Sequence, residues 1–316
     1  MTKPRLAHLY FFQSVLYQQE IAKLRQALKA KNIDYIFLKG LPLHMYYFKS
    51  YPKRFYADCD ILIKEHDAIS LIRILEKLGY KEKLIPLANE GSIVRNARAE
   101  FTYSKLIHHN SILFDIHTQP VFMISKIGSL DNLYPSERTN HLTSDFFSHK
   151  RDIRIQKQTY SILSSEDLVM YLALHFFNHG YRGMFRLELI DKVIRQDKIN
   201  WTIVSKKIKK YKMQNFAYPS YMLLKKYLYT PVPAGFLQSV EPKKHILNYI
   251  EANILTINIY SEKLRIDEGV LRFKNLFFLS PEPLWKKVLV VLNPDVLYAI
   301  IWVLQRKLSS FFSGQR

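Results

Sequence analysis

The sequence predicts an α/β domain over residues 1–150, followed by a mainly helical domain over 151–235 and a basic, helical or irregular extension over 236–316. Three observations lead there. In the first half, short apolar runs alternate with segments of helical periodicity, the pattern of strands and helices sharing one core. In the second half, four successive segments carry helical spacing alone. The composition, 48% hydrophobic and 23% charged over 316 residues, is that of a folded chain with room for more than one core and excludes a disordered one.

Taking the elements in order, apolar residues recur at helical spacing over 6–30 (Leu6, Leu9, Phe12, Leu16, Ile21, Leu24, Leu28). Tyr35-Ile36-Phe37-Leu38 is a short apolar run ending in Lys39-Gly40, which predicts a buried strand. Pro42 suits the first turn of a short helix over 43–48, and a loop with Pro52 follows over 49–57. Asp58-Cys59-Asp60-Ile61-Leu62-Ile63 predicts a second strand. Asp67 is placed to cap a helix over 68–78 that Gly79 terminates. Residues 93–107 predict a strand pair or long hairpin, and 111–117 another strand. Helices are expected over 166–180, 186–198, 200–212 and 216–229, the third capped by Asn200, with Pro231 and Pro233 ending the series. The segment 281–316 is basic, aromatic and weakly patterned.

The charge-bearing chemistry concentrates in the first half. Asp58 and Asp60 are two residues apart on a strand, so their side chains share a face. Two carboxylates that close repel, and a divalent cation relieves the repulsion, because neighbouring carboxylate oxygens suit Mg²⁺. Asp115, in another apolar strand, would supply a third carboxylate and complete a two-metal site for phosphoryl transfer. Lys39-Gly40 stands at a strand-to-helix junction where backbone amides and a lysine can hold phosphates, and Arg54 can neutralise phosphate charge.

With these residues in that order, the sequence resembles the nucleotidyltransferase superfamily with the polymerase-β-type palm, and within it the uncharacterised nucleotidyltransferase branch. The resemblance is carried by Phe37-Leu38-Lys39-Gly40-Leu41-Pro42-Leu43, Arg54, Ala57-Asp58-Cys59-Asp60-Ile61-Leu62-Ile63, Leu78-Gly79-Tyr80 and Phe114-Asp115-Ile116-His117. It continues through Leu174-His175-Phe176, Asn178-His179-Gly180, Leu189-Ile190-Asp191 and Ile199-Asn200-Trp201, covering roughly residues 10–235. It implies a palm of mixed β-sheet flanked by helices, two Mg²⁺ ions, and transfer of a nucleoside monophosphate from an NTP to an acceptor. Carried over, Asp58 and Asp60 hold both metals, Asp115 is the third ligand and the base, Gly40 admits the triphosphate, and Lys39 and Arg54 bind its oxygens. The superfamily's usual Gly-Ser or Gly-Gly at the phosphate turn is here Lys39-Gly40-Leu41, with a lysine in place of a hydroxyl.

His117 shares the Asp115 face and can orient a carboxylate or touch substrate; His175 and His179, four apart on a helix, pack against neighbours or line the cleft. With no third ligand or intervening glutamate, zinc is not their expected partner. Asp191, in an apolar helix, calls for an arginine, with Arg182 and Arg186 the nearest in sequence. Tyr46, Tyr47, Tyr51 and Tyr56 cluster where they could stack on a base, and Cys59 faces the core. A lone cysteine excludes a disulfide scaffold and a cysteine-rich zinc site. The 47 Lys and Arg against 27 Asp and Glu, a net charge of +20, point to acidic partners: nucleotide, nucleic acid, a phosphorylated substrate or an anionic membrane surface met through the C-terminal segment. The basic runs 151–157 and 206–212 read as solvated faces. The N-terminal residues lack a signal-peptide pattern and no run is long enough to span a bilayer, so a cytoplasmic protein is expected. The acceptor is a small molecule, a peptide, a protein or an RNA end; a nucleotide- or RNA-binding palm without catalysis is the alternative.

Overall fold

The computed structural model describes residues 3–56, 58–83, 100–120, 132–260, 265–294 and 297. Its centre is a mixed seven-stranded sheet. The strands are β1 (Tyr35–Phe37), β2 (Cys59–Ile63), β3 (Lys81–Glu82), β4 (Glu100–Ile107), β5 (Asn110–His117), β6 (Arg151–Ile155) and β7 (Gln158–Ile162), in the order β3-β4-β5-β2-β1-β7-β6. β2 runs parallel to β5, and β1 to β7; the other neighbours are antiparallel. The central strands are short and apolar on both faces, as strands covered on both sides must be. Ile36, Phe37, Cys59, Ile61, Leu62, Phe114 and Ile162 are all fully buried.

The long helix α1 (Lys3–Ala30) lays Tyr17, Ile21, Leu24 and Leu28 on the core and packs against β5 and α3. α2 (Leu41–Phe48) starts directly after Gly40, two residues earlier than the proline suggests, and buries Leu41, Leu43 and Tyr47. α3 (Ala68–Lys77) is entered through a 3-10 turn, Glu65–Asp67. Asp67 stands at its N-cap position but its side chain caps nothing, since the turn already folds the backbone into helical geometry. Gly79, at φ +85°, ends α3 as expected, with Tyr80 N–H donating to Leu75 O at 2.9 Å.

The hairpin expected over 93–107 is, in its described part, a single strand. β4 pairs along its whole length with β5 through a two-residue turn at His108 and His109, both at positive φ. Residues 93–99 lie outside the described residues. Past the boundary expected at 150, residues 151–162 form β6 and β7 and continue the same sheet beside β1. α4 (Ser136–His149) precedes them.

The helices beyond are α5 (Ser165–Asn178), α6 (Met184–Gln196), α7 (Trp201–Lys210), α8 (Gln214–Leu228), α9 (Ala234–Ser239), α10 (Lys244–Asn253), α11 (Arg265–Leu279) and α12 (Leu284–Val291). α5 is the hub: apolar nearly all round, it packs on α6, α7 and α8. Its N-terminus is capped by Ser164, whose hydroxyl accepts from Asp167 N–H, and Asp167, itself fully buried, pairs with Lys207 of α7 at 2.6 Å. Asn200 caps α7 as expected. Asp191 pairs with Arg195, one helical turn on, at 2.7 Å, and accepts from Thr230 Oγ1; Arg182 and Arg186 are turned elsewhere. Tyr47 is not available to a base: it is buried, its hydroxyl bonded to Asp197. Within the segment read as weakly patterned, α12 folds as a helix with Leu284, Trp285 and Leu289 exposed. Among the described residues no helix is long and apolar enough to cross a membrane.

Candidate functional site

Sheet register assembles the site. Asp60 on β2 lies opposite Asp115 on the parallel neighbour β5, and Asp115 lies opposite Thr102 on β4. Residues in register on adjacent strands, about 4.8 Å apart, point to the same face, so Thr102, Asp115 and Asp60 form one row across three strands. Asp58 comes two residues before Asp60 and shares that face. One carboxylate oxygen from each of Asp58, Asp60 and Asp115 falls within 4.8 Å of the others, a group that could hold a metal ion. All donors are hard oxygens, the set suited to a divalent cation of the Mg²⁺ or Mn²⁺ type.

Lys39 closes the group from the end of β1. Its Nζ lies 3.1 Å from Asp58 Oδ2 and also pairs with Asp60 Oδ2. Burial alone would lower the lysine, but Asp60 and Asp58 outweigh it and hold the ammonium well above its ordinary pKa. Burial would likewise raise Asp58, and Lys39 reverses this, keeping the carboxyl below its usual range. Asp115 has no such cation. Burial, Asp60 and Glu100 push it up to about 7, against a 2.7 Å hydrogen bond from Thr102 Oγ1 that favours the ionised form. The three carboxylates thus carry more negative charge than one lysine offsets, which is the condition a bound cation would relieve.

Gly40 is where the chain turns from β1 into α2. Its φ is +100°, and a Cβ there would stand 3.3 Å from Asp58 O and Cys59 Cα. Only glycine combines that backbone with so close an approach to β2. His117, two residues past Asp115, is buried and places Nε2 3.0 Å from Asp60 Oδ1. Burial would lower its pKa, but the bond to Asp60 and the nearby acidic groups outweigh that and raise it. His117 thus orients a carboxylate from below and does not open to the cleft. Cys59 is buried on the other face, as expected.

Beside Lys39, Gly40 and Asp58 opens a cleft of about 540 Å³. One wall is α2 and the loop after it, with His44, Phe48, Tyr51 and Arg54; the other is α5 and α6, with His175, His179, Phe185 and Arg186. His44 stacks on Phe48 at 4.4 Å, and burial together with Arg54 pushes its pKa down to about 4. Arg54 lies over the rings of Tyr56 and Phe185, at 4.4 and 4.1 Å from their centres. Asp58, Asp60, Asp115, Lys39 and Gly40 therefore come together, Arg54, His175 and His179 line the adjoining cleft, and His117 supports Asp60. Sequence reasoning missed Thr102, His44, Phe185 and Arg186. The alternation of β4 offered a signal for Thr102; nothing local marks Phe185 and Arg186, which reach the cleft only because α6 packs on α2.

No curated protein and no solved structure matches the chain. A family model described as uncharacterised nucleotidyltransferase matches residues 8–229, a span that holds the carboxylate group, the Lys39-Gly40 turn and both walls of the cleft. The chain belongs to that nucleotidyltransferase family.

Proposed function

We propose that the protein moves a nucleoside monophosphate from an NTP such as ATP onto an acceptor hydroxyl or phosphate, releasing pyrophosphate, with Mg²⁺ held by Asp58, Asp60 and Asp115. The observation that carries this proposal is the convergence of three carboxylates from β2 and β5 beside the Lys39-Gly40 turn, at the mouth of a basic cleft. When bound, Mg²⁺ would supply Lewis-acid polarisation of the α-phosphate and charge neutralisation of the triphosphate.

The chain's own groups do the rest. Gly40 lets phosphate oxygens approach the backbone at the start of α2. Lys39 and Arg54 bind those oxygens, Lys39 by turning from Asp58 and Asp60 toward the triphosphate. Asp115 accepts the proton of the attacking hydroxyl. The acceptor oxygen bonds to the α-phosphorus as the bond to the bridging oxygen of pyrophosphate breaks. His117 holds Asp60 in place. α5 and α6 shape the acceptor's side of the cleft. Such a protein works in the cytoplasm, where Mg²⁺ and NTPs are supplied.

One observation favours a second function. Lys39 pairs with both Asp58 and Asp60, as it would in a palm that binds nucleotide or RNA and transfers nothing. Labelling separates the two. Incubation with α-³²P-labelled NTPs, Mg²⁺ and cell extract should transfer label with wild type and not with Asp58→Asn/Asp60→Asn. Full transfer by the double variant would sink the metal assignment; metal-independent NTP binding without transfer by wild type would establish the second function.

A further inference from the structure

The cleft wall made by α5 and α6 has a hydrogen-bond polarity that can be traced atom by atom. A guanidinium only donates. His179 Nδ1 lies 3.0 Å from Arg186 Nη2 and 3.3 Å from Arg272 Nη2, so Nδ1 is an acceptor and the ring's proton is on Nε2. That Nε2–H donates to His175 Nε2, 3.1 Å away. His175 must then carry its own proton on Nδ1, and its ring lines the cleft. Burial and the neighbouring basic groups hold both imidazoles well below their ordinary pKa, so they stay neutral and keep this direction of donation. The relay runs from arginine to His179 to His175 and ends in a donor.

The opposite wall brings a second arginine onto this one. Arg54 and Arg186 both lie against the Phe185 ring, at 4.1 and 4.3 Å from its centre, so one aromatic side chain gathers two cations from separate parts of the chain. Among the described residues no carboxylate pairs with Arg54. Lys53 lines the same space. Four cations, Lys39, Lys53, Arg54 and Arg186, line the cleft against two carboxylates, Asp58 and Glu188, and a lining with that excess of positive charge suits a ligand rich in acceptors and negative charge.

We propose that His175 and Arg186, with Arg54 across the cleft, form an oxyanion subsite for a phosphate or carboxylate group, distinct from the carboxylates of the sheet. Its occupant is either the tail of the NTP or an anionic group on the acceptor. Only the naming of that occupant rests on nucleotidyl transfer; anion binding itself requires neither metal nor turnover.

The test is calorimetric titration of the full chain with inorganic phosphate in EDTA. Wild type should bind, Arg186→Gln should bind at least tenfold more weakly, and Arg186→Lys should recover part of the loss. His175→Phe, which keeps a ring and removes the donor, should weaken binding several-fold, and melting curves of each variant check the fold. The titration is then repeated with Mg²⁺ and a saturating non-hydrolysable NTP. Phosphate that still binds assigns the subsite to the acceptor. Phosphate that is excluded, with NTP affinity also falling in Arg186→Gln, assigns it to the triphosphate tail. Equal binding of phosphate and NTP by wild type and folded Arg186→Gln, or no phosphate binding by wild type, overturns the proposal. If label transfer fails while phosphate binding still depends on Arg186, the proposed reaction falls and the subsite stands.

Discussion

Replacing Asp115 with asparagine should stabilise the metal-free protein above neutral pH. The Asp115 carboxyl is pushed up to about 7 in the fold against an ordinary 3.8, because it is half-buried and faces Asp60 and Glu100. Between those values the folded chain keeps a proton that the unfolded chain has released. Stability is therefore lost as pH rises through this window, and the loss is complete above about pH 7. A shift of three units corresponds to about 4 kcal/mol. For a chain of this length, unfolding with about 2 cal/mol/K per residue, that is a melting shift of about 6 °C. The Asp115→Asn side chain would keep an oxygen for the Thr102 hydroxyl and remove the charge. Thermal unfolding in EDTA should show the variant melting about 6 °C above wild type at pH 8, with the gap shrinking by more than half at pH 5. Mg²⁺ at pH 8 should close the gap by stabilising wild type alone. A variant no more stable than wild type at pH 8, or a gap independent of pH, would refute the electrostatic account of the site.

Two further outcomes follow from the same geometry. Lys39→Met leaves Asp58 and Asp60 without their cation, at a cost of about 3–5 kcal/mol in EDTA; titrated Mg²⁺ should raise its melting temperature more than that of wild type, and an equal rise would show that Lys39 does not compete for the metal's place. Gly40→Ala brings a Cβ to 3.3 Å from the backbone of β2 at φ +100° and should cost about 1–3 kcal/mol in urea unfolding, with loss of NTP affinity; an unchanged midpoint would mean that the turn has room to spare.

The carboxylate group was legible because two local rules suffice to build it. Strand alternation puts Asp58 and Asp60 on one face, and an apolar run around Asp115 marks another strand. What the sequence leaves open is that β2 and β5 are neighbours and in register at Asp60 and Asp115, since register is a property of the pair and not of either strand. The segment 151–162 shows the opposite case. Ile153, Ile155, Tyr160 and Ile162 alternate as a strand hairpin should, yet Arg151, Arg154 and Lys157 give it the look of a solvated basic face. Both descriptions hold. β6 is an edge strand, buried on one side, and charge on its open side is what discourages pairing with another chain.

The same contrast separates the two halves of the site. Its charged floor comes from strands that lie side by side, and any change of register would scatter the carboxylates and expose the apolar residues between them. Its cleft walls come from helices and the loop after α2, where Arg54 and Arg186 meet on Phe185 across 132 residues of sequence with no local pattern to announce it. A floor fixed by register is costly to alter, because the residues between its carboxylates are the core. The walls are not bound in that way: Arg54, Phe185 and Arg186 are at least partly exposed and lie outside the apolar cluster. Substitutions there can change what the cleft holds at little cost to the fold. That separation is why the reaction class can be read from the strands, while the acceptor has to be sought through the chemistry of the helical wall, beginning with the oxyanion that His175 and Arg186 are arranged to receive.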